Sequence, residues 1–394
     1  MKDIKEDINI TRRISIKKKR SEFAYTINAL NKIYNKLVEY WTVQTETSSD
    51  ITKLTTTDSQ HRVFSAIHNL CTAINILEYS NSTILTNSRL TATTLTVLCV
   101  LNPGDHALIT DSVYYPLKEF CNVLSKLNIN VDYFNPRDEY SLKTLLRTNT
   151  KLVHLESPCS DTFEILNIGK ICRYVKQRSS KCIISMDNSW ATPLIYKPLI
   201  HGVDISICDI TKYLIKRPST DFTSISTTKS LSHMFTKFKN LVDLTGNNYD
   251  LLSILSTLNA SIFRLYNRYN SIMKLCRHLY AMRHLCHVFC PALPSSPDHK
   301  LWQQNYNLQN NTISIKLNEN SIDKCKRFLS NLAIIRTDGV HGGNKSSASM
   351  FVIRHRLFGT ETTYPIIRLQ IGSDDVDDLI TDLNNAFDHN RIIE

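Results

Sequence analysis

Glycine is scarce in this chain, with nine glycines among 394 residues, whereas an average usage of ~7 % would give about 28. No stretch reaches the roughly 18 consecutive apolar residues of a membrane-spanning helix, and the first residues lack the apolar segment of a secretory signal. The eleven cysteines include no Cys-x-x-Cys pair, which argues against a disulfide framework. We therefore expect a cytoplasmic protein with reduced thiols.

Two features that could indicate a nucleic-acid or metal ligand are weak. The net charge of +11 is spread along the chain apart from one basic run, residues 12–20, and such a run is typical of a solvated arm. No zinc-finger or RNA-binding motif accompanies it. Histidines and cysteines cluster between His278 and Cys290, but their spacing fits no structural zinc site. We therefore expect no nucleic-acid, membrane or metal partner.

Short apolar runs alternate with helical patterns over most of the chain. Residues 1–60 predict an N-terminal arm, residues 61–250 a large domain and residues 251–394 a smaller C-terminal domain. Strands separated by helix-length connections are typical of a mostly parallel, doubly wound α/β sheet. The predicted strands are His106–Thr110, Lys151–Leu155, Cys182–Met186 and Val203–Ile207, and the predicted helices cover 115–127, 166–178 and about 250–290. A last helix is predicted after Ser373, which is a candidate N-cap.

An acid and a lysine follow two of these strands. Asp187 comes directly after Cys182–Met186, and Lys212 comes shortly after Val203–Ile207. Ligands of open α/β sheets bind beyond the carboxyl ends of the strands. The pair suits pyridoxal phosphate, because a lysine can bind its aldehyde and a carboxylate can keep its ring nitrogen protonated. From spacing alone, the alternative is a turn-capping aspartate and a surface lysine.

Longer segments between about residues 60 and 390 resemble one family. They are Asn102–His106, Thr110–Pro116, Glu156–Glu164 (ESPCSDTFE), Met186–Leu194 (MDNSWATPL), Pro198–Ile207, Cys290–His299 and Ile367–Leu379. In this order they resemble segments of cystathionine β-lyases, which belong to the pyridoxal-phosphate enzymes of cysteine and methionine metabolism. The resemblance implies an aspartate-aminotransferase-like fold (fold type I), with a mostly parallel central sheet and a smaller C-terminal α+β domain. It also implies a homotetramer built from dimers.

The resemblance assigns roles to individual residues. Lys212 would carry pyridoxal 5'-phosphate and shuttle protons, Asp187 would pair with the pyridine nitrogen, and Tyr114 would stack on the cofactor ring. Arg368 would bind the substrate α-carboxylate as a two-pronged ion pair. Thr211, just before the lysine, would contact the cofactor phosphate.

Several positions depart from the family pattern. The Ser-Gly step that cradles the phosphate is here Ser88-Arg89-Leu90, where a helix N-terminus would still bind phosphate and Arg89 would add positive charge. Arg62 lies beside the position of a Tyr-x-Arg pair that a neighbouring subunit lends to the cofactor. Asp209 stands where a small phosphate-binding residue is usual, Cys159 replaces a glycine, and Val340 lies in an altered substrate rim.

The sequence thus predicts a pyridoxal-phosphate-dependent carbon–sulfur lyase that cleaves L-cystathionine by β-elimination to homocysteine, pyruvate and ammonia, a step of trans-sulfuration and methionine biosynthesis. The Trp-Ala-Thr-Pro sequence that begins at Trp190 resembles β-lyases more than γ-synthases. Two alternatives stay open. One is a degenerate homologue that no longer turns over substrate, and the other is a cystathionine γ-synthase or γ-lyase.

Overall fold

Two β-sheets organise the computed structural model, which describes residues 56–215, 221–239, 248–306, 308–319, 321–337, 345–353, 356–358 and 363–391. The strands of the larger sheet are β1 (Ser82–Thr86), β2 (His106–Thr110), β3 (Asn130–Phe134), β4 (Thr150–Glu156), β5 (Ile183–Asp187), β6 (Ile205–Asp209) and β7 (Thr223–Thr227). They lie in the order β1-β7-β6-β5-β4-β2-β3. Strand β7 is antiparallel to both of its neighbours, and every other neighbouring pair is parallel.

Helices pack around the larger sheet, so that its central strands β4, β5 and β6 are buried almost throughout. Burial on both faces is expected when crossover helices connect parallel strands. These helices are α1 (Thr56–Glu78), α2 (Arg89–Val100), α3 (Tyr115–Leu124), α4 (Glu139–Leu145), α5 (Ile168–Arg178), α6 (Thr192–Ile195) and α7 (Ser232–Lys239).

The long helix α8 (Asn248–Ala281) leads from the larger sheet to the smaller one. The smaller sheet is antiparallel, with the order β10-β11-β9-β8, and its strands are β8 (Cys286–Phe289), β9 (Thr312–Leu317), β10 (Ser347–Ile353) and β11 (Tyr364–Gln370). The helices of this part are α9 (His299–Asn305), α10 (Ile322–Ser330) and α11 (Val376–Arg391). Leu379, Leu383 and Phe387 form the buried face of α11.

The predicted strands are confirmed as β2, β4, β5 and β6, with ends shifted by at most two residues. The predicted N-cap of the last helix is wrong. That helix begins at Val376, and the side chain of Asp375, not Ser373, accepts the backbone N–H of Asp377 at 2.8 Å. The domain boundaries stay predictions, and nearly all of the proposed arm lies outside the described residues.

All eleven cysteines lie in the described residues, and none forms a disulfide there. Among the described helices, none combines the length and the apolar character that crossing a membrane would require.

Five residues other than glycine adopt a backbone conformation that glycine usually takes. Tyr79, Asn128, Asp161, Phe163 and Thr192 all have φ between 55° and 70°, the left-handed region that favours glycine. This conformation costs roughly 1–2 kcal/mol for Tyr79, Phe163 and Thr192, and less for Asn128 and Asp161. The scarcity of glycine in the sequence therefore has a structural counterpart, and two of these residues lie in the segment that follows β4.

A carboxylate is buried at the end of α1. Glu78 is fully buried, and its Oε1 accepts a hydrogen bond from Ser206 Oγ at 3.0 Å. Its Oε2 has no hydrogen-bond partner among the described residues. Burial raises the pKa of Glu78 from 4.5 to about 7, although Lys197 and the Ser206 hydroxyl oppose the shift.

We predict that Glu78→Gln raises the free energy of unfolding relative to the unmodified protein, and that this gain is larger above neutral pH than below pH 5. The folded protein holds this proton more tightly than the unfolded chain, so the free energy of unfolding falls as the pH rises from about 4.5 to 7. The ionised group then costs about 3 kcal/mol, which glutamine avoids. Urea unfolding of both proteins at pH 5 and pH 8 measures this difference. Exposed Glu119→Gln is the control, and an equal gain at both pH values would contradict the prediction.

Candidate active site

Three carboxylates meet at one edge of the larger sheet. Strands β4, β5 and β6 are parallel neighbours that end in Glu156, Asp187 and Asp209, and Glu156 lies in register with Asp187. All three residues are buried. Like charges at such short range need cations and hydrogen-bond donors around them, so the residues that supply them define the site.

The main cation is Arg89, the first residue of α2. Its Nε donates to Asp187 Oδ2 at 2.5 Å, and its Nη2 lies 2.8 Å from Glu156 Oε1. The guanidinium carbon lies 4.4 Å from the centre of the Tyr114 ring, within the range of a cation–π contact. Burial raises the pKa of Glu156, and the charge of Arg89 opposes that shift. The predicted phosphate-binding arginine thus directs its side chain to two carboxylates and an aromatic face.

Loops after the strands complete the hydrogen bonding. The backbone N–H of Tyr114 donates to Glu156 Oε2 at 2.7 Å, and the hydroxyl of Ser160 donates to Glu156 Oε1. The backbone N–H of Ser189 donates to Asp187 Oδ1 at 2.9 Å. Tyr114 immediately precedes α3, whose first residues include a proline that favours a helix start. The backbone of Tyr114 is therefore anchored to Glu156, and its ring lies against the Arg89 guanidinium.

The N-terminus of α2 also lies in this region. The side chain of Ser88 caps the helix by accepting the backbone N–H of Thr91 at 3.0 Å. The first turn of any helix carries N–H groups without intrahelical partners, which is why such ends bind phosphate. Ser88, Arg89 and Leu90 stay the predicted phosphate site.

Lys212 lies just past the end of β6, in a wide helical turn that spans Ile210–Ile215. Its backbone N–H donates to Asp209 Oδ1 at 2.9 Å, and its Nζ lies 3.4 Å from Asp221 Oδ1 and 3.9 Å from Asp209 Oδ2. Burial raises the pKa of Asp209, and Lys212 opposes the shift. The hydroxyl of Thr211 lies 3.3 Å from Asp209 Oδ1, so the aspartate organises the turn that carries the lysine.

Arg368 approaches the same region from β11 of the smaller sheet. Its Nη2 forms an ion pair with Asp161, and its guanidinium carbon lies 4.4 Å from the centre of the Phe351 ring. Burial and the neighbouring Arg89 lower the pKa of Arg368 to about 10, while Glu156 opposes the shift. Arg368 is therefore charged at neutral pH, and its carboxylate partner comes from within the chain.

A second arginine of the smaller-sheet region, Arg356, received no role from the sequence. Its Nε and Nη2 lie 3.1 Å from Asp111 Oδ2 and Glu164 Oε1, and its Nη1 donates to Thr162 Oγ1 at 3.2 Å. Burial alone would lower its pKa, but Glu164 and Asp111 raise it overall. Glu156, Asp161 and Glu164 all belong to the ESPCSDTFE segment, so the only sequence signal for these contacts was that motif.

Two other predicted site residues have no described side chain. Arg62 lies in α1, but its side chain is outside the described residues, and so is Val340. Among the described histidines, cysteines and acidic residues, no group of three or more could hold a metal ion. His278 instead lies 2.8 Å from Asn384 Oδ1 through its Nε2.

The residues of the site fit pyridoxal phosphate in all but one respect. Asp187 is a buried carboxylate that could pair with a ring nitrogen, Tyr114 offers an aromatic face, and Lys212 supplies an amine beside the neighbouring strand end. The exception is Arg89, whose guanidinium makes both of the contacts expected for the cofactor ring. The cofactor therefore fits only after the Arg89 side chain turns aside.

Comparison with known proteins identifies the family. Residues 45–388 match the family model described as Cys/Met metabolism PLP-dependent enzyme. A Rhizobium johnstonii protein named "Putative cystathionine beta-lyase" is 36 % identical over 324 residues, 81 % of this chain and 81 % of that protein. An L-alanine/L-glutamate racemase of Wolbachia pipientis is 30 % identical over 81 % of this chain and 80 % of its own. Cystathionine beta-lyase MetC of Escherichia coli is 30 % identical over 74 % of this chain and 75 % of its own.

Solved structures show the same fold. The crystal structure of metB from Corynebacterium glutamicum superposes with a TM-score of 0.75 at 19 % identity, over 83 % of this chain and 86 % of that one. Apo CalE6, a methionine gamma lyase from Micromonospora echinospora, superposes with a TM-score of 0.73 at 19 % identity, over 82 % of this chain and 86 % of that one. Together with the family match, these structures confirm the predicted fold type I.

We predict that Arg356→Gln lowers the free energy of unfolding by about 3 kcal/mol, because it leaves two buried carboxylates without their shared cation. Arg147→Gln is the matched control, since the side chains of Arg147 and its partner Asp132 are 48 % and 29 % exposed and such pairs contribute less than about 1 kcal/mol. Urea unfolding measures both changes, and equal losses in the two variants would contradict the structural role of Arg356.

Proposed function

The chain belongs to the pyridoxal-phosphate-dependent enzymes of cysteine and methionine metabolism, and we propose that it cleaves a carbon–sulfur bond by β-elimination. The proposed substrate is L-cystathionine, which the reaction would convert to homocysteine, pyruvate and ammonia. Pyridoxal 5'-phosphate is the cofactor of this family. The names of two relatives, cystathionine beta-lyase MetC and the Rhizobium protein, support the choice of reaction.

One observation carries the proposal: Asp187 and Tyr114 border a single position, now taken by the Arg89 guanidinium, and Arg368 lies within electrostatic range of that guanidinium. Arg89 contacts Asp187 and the Tyr114 ring directly and acts on the pKa of Arg368. A ring-nitrogen partner, a stacking face and a carboxylate-binding group are the elements that an amino-acid-binding site of this family needs.

The proposed division of labour follows from the chemistry of these side chains. When bound, the cofactor supplies an electron sink for the charge that develops at the substrate Cα. Lys212 holds the cofactor and moves a proton from Cα towards the leaving sulfur. Asp187 keeps the ring nitrogen protonated, Tyr114 orients the ring, and Arg368 fixes the substrate α-carboxylate. Thr211 contacts the phosphate.

We extend the proposal to the remaining predicted residues and to the assembly. Ser88, Arg89 and Leu90 begin the helix that would bind the phosphate through backbone N–H groups. Arg62 would reach the site of a neighbouring subunit, and Val340 would line the substrate rim. A homotetramer in the cytoplasm agrees with these roles.

The alternatives differ in their products. A γ-lyase would release 2-oxobutyrate from cystathionine, and a degenerate homologue would release no keto acid. One relative is named a racemase, which adds a third possibility, because a proton returned to the opposite face of Cα gives the D-amino acid without a keto acid. Product analysis therefore distinguishes a β-lyase, a γ-lyase, a racemase and a degenerate homologue.

We predict that the cofactor-loaded protein releases pyruvate from L-cystathionine and from simpler S-alkylcysteines, and that Lys212→Ala abolishes both activities. The variant should also lose the visible absorbance band of covalently held cofactor, since only the lysine amine can bind the aldehyde. Exposed Lys229→Ala is the control and should keep both. Exclusive 2-oxobutyrate would indicate γ-elimination, and D-amino acid without keto acid would indicate a racemase.

A further prediction concerns Asp161, which pairs with Arg368. A substrate α-carboxylate must displace the Asp161 carboxylate, so Asp161→Asn should lower KM about tenfold while kcat changes little. Asparagine tolerates the positive φ of this residue. Steady-state kinetics with cystathionine measure the effect, with Asp132→Asn as a control distant from the site. A higher KM in the Asp161→Asn variant would mean that Asp161 itself contacts the substrate.

A further inference from the structure

We propose that the Arg89 side chain is an internal occupant of the cofactor-ring position, and that pyridoxal phosphate binds only when this side chain is displaced. The inference rests on the proposed site, because the ring position is defined by Asp187 and Tyr114. It goes beyond the proposed function, since it assigns to one residue of this chain control over whether the site is open.

The contacts of Arg89 are those that a protonated pyridine ring would make. Its Nε donates to Asp187 Oδ2 at 2.5 Å, where the ring N–H would donate. Its guanidinium carbon lies 4.4 Å from the centre of the Tyr114 ring, where the pyridine ring would stack. A guanidinium is a planar, delocalised cation with N–H donors, so it reproduces the charge, the shape and the hydrogen bond of the ring. Both cannot occupy this position together.

The buried carboxylates explain why the side chain stays there. The side chains of Asp187 and Glu156 are only 2 % and 5 % exposed, and Arg89 bridges them. Without a cation the two carboxylates would repel each other in register at the ends of neighbouring strands. Arg89 supplies that cation in the cofactor-free protein, and a protonated ring nitrogen would supply part of it afterwards. Glu156 keeps the hydrogen bonds from Tyr114 and Ser160 in either case.

The position of Arg89 in the chain also permits the exchange. It is the first residue of α2, its side chain is flexible, and 11 % of that side chain remains exposed, so it borders solvent. Family resemblance gives a glycine at this position, which would leave the ring position clear. The blocked ring position is therefore particular to this chain, and it results from a single side chain, that of Arg89.

The test is cofactor affinity, measured by titrating the cofactor-free protein and three variants. Arg89→Gly empties the position, Arg89→Met keeps bulk without charge, and Arg147→Gln, a half-exposed arginine paired with Asp132, is the matched control. The ligands are pyridoxal 5'-phosphate and pyridoxine 5'-phosphate. The second has no aldehyde, so its binding reports the ring position without the bond to Lys212. Thermal melting of each cofactor-free protein is recorded in parallel.

We expect Arg89→Gly to bind both ligands about tenfold to a hundredfold more tightly than the unmodified protein, since neither ligand then has to break the contacts of a buried charged pair. The cofactor-free variant should melt at a lower temperature, because its carboxylates have lost their cation, and the ligands should raise that temperature by a larger amount. Arg89→Met should bind less tightly than Arg89→Gly. Arg147→Gln should leave both dissociation constants unchanged.

Unchanged or weaker binding by Arg89→Gly would overturn the inference, and weaker binding would mean that Arg89 contacts the cofactor phosphate. The outcome is separate from that of the proposed function. If Arg89→Gly binds the cofactor more tightly but no keto acid is released, the inference on Arg89 is supported and the proposed lyase activity is rejected. If pyruvate is released but Arg89→Gly gains no affinity, the lyase activity is supported and the inference on Arg89 is rejected.

Discussion

The convergence of three buried carboxylates at the ends of parallel strands is the constraint on which the rest of the site depends. Parallel neighbours end at the same edge, so Glu156, Asp187 and Asp209 are brought together by the sheet itself. Burial makes their charges expensive unless donors and cations surround them. The loops after β2, β4 and β5 supply backbone and hydroxyl donors, and Arg89 and Lys212 supply the charge. The lysine and the arginine are therefore parts of one electrostatic arrangement, and a change in one alters the environment of the other.

The same principle joins the smaller sheet to the larger one. Arg356 reaches Asp111 after β2 and Glu164 after β4, and Arg368 pairs with Asp161 between them. Arg356 thus binds both of the loops that donate hydrogen bonds to Glu156, and Arg368 binds the loop after β4. Asp111 is shared with Lys118 at 2.7 Å, so Arg356 ties the segment between β10 and β11 to the strand ends of the larger sheet. A substrate carboxylate that replaces Asp161 at Arg368 would remove this one contact and leave the contacts of Arg356 intact.

Sequence reasoning could predict the parts of the fold that follow from periodicity. Buried runs of alternating strand and helix length predicted β2, β4, β5 and β6, and the position of Asp187 and Lys212 after two of these strands predicted the edge at which the site lies. It could not predict where a long side chain would point. Arg89 belongs to a helix N-terminus, yet its side chain is long enough to reach two strand ends, and the nearest buried charges decide its direction. Arg356 lies far along the chain from its partners, so no local pattern could reveal its role. Ser373 and Asp375 are both acceptable caps, and only the start of the helix distinguishes them.

The scarcity of glycine links these observations to function. By resemblance, glycine would stand at the positions of Arg89 and Cys159, and both now carry side chains that point into protein. Cys159 is fully buried, and its Sγ lies 3.0 Å from the backbone oxygen of Glu156, so it has become a fixed part of the packing. Arg89 differs, because it ends in a charge on a flexible stem that borders solvent. A packed side chain narrows a site permanently, whereas a charged one can exchange with a ligand of the same charge and shape. The Arg89 side chain that stands in place of glycine therefore blocks the site only while its guanidinium holds Asp187. The cofactor opens the site when it competes successfully for that carboxylate.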